Sequence, residues 1–111
     1  MTFDADLADR MRDLLAEERD LTEKKMFGGL AFLIDGHMAV AASGQGGIMI
    51  RADPAESDAL VETTDAELVV MRGKPMAGWL RVDAESLRAR RELAKWVEVG
   101  TAYARSLPAK G

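Results

Sequence analysis

The order of apolar and polar positions along the chain changes period several times, and each change marks an element. Leu7, Met11, Leu14 and Leu15 recur at i, i+4, i+7 and i+8, the stripe of an amphipathic helix ending near Arg19. Asp4 stands where an N-cap belongs, and Asp6 and Asp9 suit the positive end of the helix dipole. From Thr22 to Phe27 the pattern alternates, and after Gly28-Gly29 the run Leu30 to Ile34 reads as strand. A glycine pair inside a strand pattern predicts a bulge or a close backbone approach, so these segments are either two strands or one bulged strand. Asp35-Gly36 is a hairpin turn, because a type I′ turn needs positive φ at both central residues. His37 to Ala42 is the return strand, Ser43 to Gly47 a looser turn, and Ile48 to Arg51 the next strand.

Asp53-Pro54 has the N-cap and N1 signature of a helix running to about Glu62. Glu67 to Met71 returns to strand, Arg72 to Gly78 is read as a loop, and Trp79 to Val82 is the final strand. Asp83 is read as the cap of the next segment, with Leu87 in a short turn. Leu93, Trp96, Val97, Gly100, Tyr103, Ala104 and Leu107 then trace one face of a terminal helix that Pro108 stops. Hairpin-linked strands with helices before, between and after them predict an α+β fold. The expected architecture is a two-layer sandwich over residues 1–111 as a single domain. Its antiparallel sheet has about five to six strands, with the N-terminal, middle and C-terminal helices on one face.

At 111 residues, 48% hydrophobic and 31% charged, the chain is sized for one core and for solubility. It has no cysteine, which excludes disulfides and thiolate zinc sites and fits a reducing cytoplasm. The opening Met1-Thr2-Phe3-Asp4-Ala5-Asp6 is acidic where a signal peptide is basic, and no apolar run approaches the length of about 20 residues that spans a bilayer. A cytoplasmic protein without membrane contact is expected. The net charge of −4 points away from a domain held to nucleic acid through phosphates, so no direct nucleic-acid binding is expected.

Candidate chemistry is sparse. His37 is the one histidine; as a general base it would need Ser43 or another serine as nucleophile, whereas Asp35 is already explained by the turn. It is read as a strand-end histidine facing solvent. No metal is expected: Asp6, Asp9 and Asp13 lie at i, i+3 and i+7, the spacing of a solvated helix face. Gly44-Gln45-Gly46-Gly47 and Arg72-Gly73-Lys74 match neither a P-loop nor a dinucleotide fingerprint, so no cofactor is expected. Arg88, Arg91 and Lys95 lie at i, i+3 and i+7 and are expected to share one face of the last helix; interleaved with Glu92 and Glu98, they read as a solvated, ion-paired face. Gly100 predicts close packing of the last helix on the sheet. Met26, Met38, Met49, Met71 and Met76 make the strands rich in methionine; most are expected in the core and some along a groove or subunit contact.

Three ordered motifs carry a family resemblance. Lys24 to Met38, with Met26-Phe27-Gly28-Gly29 and Asp35-Gly36 at its centre, resembles the opening of the TfoX/Sxy N-terminal domain. Met71-Arg72-Gly73-Lys74-Pro75-Met76 followed by Trp79 resembles its second motif, and Trp96-Val97 with Gly100 to Pro108 resembles its closing helix. The resemblance covers about Lys24 to Pro108 and implies a two-layer α/β sandwich with an antiparallel sheet. It also implies a link to transcriptional regulation, since the family is named for regulators of natural competence that work with a CRP-type activator. Those regulators carry a second, helical domain; this chain stops at Gly111, so competence regulation itself is not expected of it. The family supplies no catalytic residues.

The expected function is therefore a non-enzymatic regulatory or protein-interaction module. Its binding residues are Met26, Phe27, Gly28, Gly29, Arg72, Gly73, Lys74, Pro75, Met76 and Trp79. The partner is another protein, met at a sheet edge or at Arg72–Met76, and a homodimer is also expected because a short sheet leaves edges to cover. The alternative is a small-molecule or anion-binding domain with its pocket between positions 26–29 and 72–76.

Overall fold

Asp4 opens the first helix as the charge pattern requires. Its carboxylate accepts a hydrogen bond from the backbone N–H of Leu7 at 3.1 Å, and α1 runs Ala5–Leu14. The computed structural model describes residues 4–26 and 28–108. The helix stops before Arg19 because nothing apolar extends the stripe between Leu15, which is buried, and Leu21. Asp20 then takes a left-handed conformation (φ 58°) that turns the chain into the sheet.

The strands are β1 (Leu21–Met26), β2 (Gly29–Ile34), β3 (His37–Ala42), β4 (Ile48–Arg51), β5 (Glu67–Met71) and β6 (Lys74–Val82). Helix α2 (Pro54–Thr63) separates β4 from β5; a 3₁₀ turn (Ala84–Leu87) and α3 (Arg90–Ser106) close the chain. All pairings are antiparallel, in the order β1-β2-β3-β4-β6-β5. The α+β sandwich is as expected, with six strands. The first two β segments are separate strands, paired antiparallel with Met26 opposite Gly29. The bulge lies elsewhere, between Phe32 and Leu33 opposite β3. The close backbone approach is nevertheless present, since a Cβ on Gly44 would lie 2.6 Å from the Gly28 carbonyl oxygen.

Asp35 (φ 53°) and Gly36 (φ 84°) form the anticipated turn with positive φ at both positions. Arg72 (φ 52°) and Gly73 (φ 78°) do the same, and Met71 pairs with Lys74. The expected loop from Arg72 to Gly78 is therefore a two-residue turn leading directly into β6. Pro75 is tolerated because β4 pairs only with Trp79 to Val82, leaving the outer half of β6 bonded on one side.

Helices α1, α2 and α3 lie on one face of the sheet. Phe32, Val40, Ile48, Ile50 and Leu80 project from it against Leu7, Met11, Leu87, Leu93, Trp96 and Val97, and all are buried. Asp53 caps α2 by accepting from Ala55 N at 2.9 Å, with Pro54 at N1. On the flank, the Arg12 guanidinium grips Glu23 through two bonds of 2.8 and 2.9 Å and also reaches Asp9 at 2.7 Å. Its hydrogen bond and charge hold the Glu23 carboxyl below the usual carboxylate range.

Four expectations change here. His37 does not face solvent: it is only 9% exposed, and its Nε2 lies 2.5 Å from the Pro108 carbonyl oxygen. A carbonyl only accepts, so Nε2 carries the hydrogen, and the ring fastens the end of α3 to the β2–β3 turn. Asp83 stands at the start of the 3₁₀ turn but makes no side-chain cap bond. Arg88 precedes α3 and does not share a helical face with Arg91 and Lys95; its carbonyl accepts from Arg10. The sheet methionines, finally, are not in the core. Met26, Met38 and Met49 are partly exposed, while Met71 and Met76 are 43% and 36% exposed. The buried core methionine is Met11.

Candidate functional site

Alternation along a strand sends successive side chains to opposite faces. With Leu30, Phe32 and Ile34 toward the helices, Leu33 falls on the other side; with Ile48 and Ile50 inward, so do Met49 and Arg51. No helix of the described residues packs over that second face at its centre, and it is hollowed. The recess measures about 510 Å³ and takes its floor from Gly29, Ala41 and Gly44. Its walls are Met26, Leu33, Met38, Met49, Met71, Met76 and Trp79, so all five sheet methionines line one depression.

The floor is low because the residues there are small. Gly29 must lack a side chain for a further reason: a Cβ would lie 3.2 Å from Gly44 N and overlap the Ala42 carbonyl. Among the described residues, Lys24 and Arg51 are the only charged groups in the lining, so the chemistry of the recess is apolar with two cations. The Arg51 guanidinium sits 5.3 Å from the centroid of Trp79 and 5.6 Å from that of Tyr103 of α3, within cation–π reach of both rings.

Of the ten sequence-predicted site residues, Met26, Gly29, Met76 and Trp79 come together in this recess. Gly28 is exposed in the β1–β2 turn, and Phe27 lies outside the described residues. Arg72 and Gly73 form the tip of the β5–β6 hairpin, and Lys74 and Pro75 are exposed on β6 beside it. Lys24, Leu33, Met38, Ala41, Met49 and Arg51 were not singled out as site residues, though all line the recess. Their signal was present as alternation: Met38 and Met49 each fall out of phase with a core residue one position away.

Two other depressions lie among the helices. One of about 460 Å³ between α2 and α3 is bounded by Asp53, Glu56, Lys95, Glu98 and Tyr103. One of about 350 Å³ near Thr64, Asp65 and Ser86 includes Glu92 and Lys95, which pair with each other at 3.3 Å. Among the described residues, no group of three or more His, Cys, Asp or Glu is placed to hold a metal ion, and no helix is long and apolar enough to cross a membrane.

Helices on one face of an antiparallel sheet and an apolar, methionine-walled hollow on the other define a two-layer α+β domain with one open sheet face. The family model of the TfoX N-terminal domain matches residues 13–104, and the chain belongs to that family. The first two motifs of the sequence lie in the β1–β2–β3 hairpins and the β5–β6 hairpin, both of which contribute residues to the recess. Comparison with the curated proteins finds no match.

Proposed function

We propose that the chain is a non-enzymatic regulatory module of the cytoplasm that binds another protein through the open face of its sheet. The observation that carries this reading is the gathering of Met26, Met38, Met49, Met71 and Met76 with Trp79 around one recess. Methionine leaves a wall soft enough to repack around a partner, and tryptophan is enriched at interface centres. A core would have placed these side chains inward; instead Met71 and Met76 are held partly in solvent. Membership of the TfoX N-terminal domain family supports a regulatory role. The lining includes no His, Cys, Asp or Glu among the described residues to act as acid, base or metal ligand, which favours binding over catalysis.

The test is an affinity capture from the native host with the wild-type chain and with Met38→Glu and Met76→Glu, each first shown to be folded by circular dichroism. A partner enriched by the wild type and lost from both variants is expected. A partner retained equally by both would overturn the assignment to this face. A second reading, a small-anion pocket, draws on the volume of about 510 Å³ and on Lys24 and Arg51 at its rim. It predicts that a metabolite anion raises the thermal midpoint while no protein is captured.

A further inference from the structure

We infer that the recess accepts an amphipathic α-helix with an acidic flank, supplied by the partner; this rests on the interaction-module reading above. The first argument is backbone accounting. In the recess lining Ala41 pairs with Ala31 and Met49, Ala42 with Leu30 and Ile48, and Met49 with Ala41 and Arg81, so these residues are paired by neighbours on either side. By contrast, β3 at His37–Met38 and β6 at Lys74–Met76 are paired on one side only. A chain laid over Ala41, Ala42 and Met49 meets only side chains. An extended segment would have its own polar backbone covered without partners, whereas a helix arrives with those bonds already made.

Shape agrees. Gly29, Ala41 and Gly44 keep the floor low enough for a helix to settle between walls that include Met26, Met76 and Trp79. The lining runs from β1 to β5, across five inter-strand spacings. At about 4.8 Å each that is roughly 24 Å, the length of a helix of about 16 residues.

Charge chooses the kind of helix. The whole chain carries −4, yet the charged groups lining the recess are Lys24 and Arg51, both cations. Lys74, opposite Met71 on the hairpin, adds a third at the β5 end. Among the described residues none of the three has a carboxylate within 4.0 Å. A helix with apolar residues at i, i+3, i+4 and i+7 and glutamates beside them satisfies both the walls and the rim.

The experiment uses the intact chain labelled with ¹³C at its methionine methyls and three synthetic peptides of roughly 18 residues, the length set by the helix estimate. One carries leucines at the helical spacing flanked by glutamates, the second has lysines for the glutamates, and the third has serines for the leucines. The acidic peptide is expected to shift the methyls of Met26, Met38, Met49, Met71 and Met76 and to leave Met11, sealed in the core, unmoved. Fluorescence anisotropy is expected to show it binding at least about tenfold tighter than the basic peptide. The double variant Lys24→Glu/Lys74→Glu should erase that preference without altering the fold. Equal or tighter binding of the basic peptide, shifts confined to other sites, or no binding by any peptide overturns the inference. If the peptides fail while the Met38→Glu-sensitive partner is still captured, the helix is wrong and the interaction face stands; if both fail, the function falls with it.

Discussion

Gly100 of α3 lies against the Ala39 carbonyl of β3, so close that a Cβ there would overlap that oxygen and come 2.7 Å from Val40 Cγ1. This contact sets how near the last helix approaches the sheet. Gly100→Ala would gain about 1 kcal/mol in helix propensity. Backbone cannot yield as a flexible side chain does, and overpacking costs about 1–3 kcal/mol, so a net loss of about 1 kcal/mol or more is expected. Urea unfolding of the two proteins checks it. Equal or greater stability of the alanine variant would mean that α3 slides freely.

The two classes of methionine make opposite predictions. Met11 is fully buried in the core, and Met11→Ala is expected to cost about 2–5 kcal/mol. Met71 is 43% exposed at the recess, and Met71→Ala should stay within about 1 kcal/mol. Comparable losses at both sites would place the recess methionines in a core after all.

His37 joins the β2–β3 turn to the end of α3 through Pro108. Replacing it with Phe keeps a ring but removes the donor, at a cost of about 1 kcal/mol. Hydrogen exchange is expected to speed up over Tyr103 to Leu107 and not over Leu93 to Val97. Uniform acceleration, or none, would deny the ring this local role.

Glu23 is held below its ordinary value by Arg12, so it binds its proton less readily folded than unfolded. Its contribution is therefore present above the unfolded carboxylate value of about 4.3 and is lost as pH falls through the folded one. Because the pair is solvent-exposed, the effect is small and salt-sensitive. Glu23→Gln should lower the thermal midpoint slightly at neutral pH and flatten its acid decline. Parallel wild-type and variant curves would remove Glu23 as the cause.

The sheet edges differ. β1 shows Thr22, Glu23, Lys24 and Lys25 to solvent, a charged edge that resists pairing, whereas β5 offers Val70, which is 63% exposed, and Met71. Self-association is expected at β5, and Val70→Lys is expected to abolish it while leaving the fold intact. Light scattering that finds only a 12.1 kDa wild-type species at micromolar concentration would show the edge unused.

Local chemistry was legible in the sequence wherever one or two residues decide it. Asp4 and Asp53-Pro54 begin helices because their caps act within three residues, and Asp35-Gly36 turns because it tolerates positive φ. Arg72-Gly73 makes the same turn without a local signal for it, since arginine has no preference for that conformation and the hairpin's long-range pairing imposes it. Period alone told that Met49 and Ile50 point opposite ways. Only the tertiary structure decided which of the two faces water, because that depends on where α1, α2 and α3 come to rest. The same holds for His37, buried by a helix end 71 residues away, and for β6, inserted between β4 and β5. Caps and turns are settled by neighbours in the chain; the open methionine face is settled by which side of the sheet the helices leave uncovered.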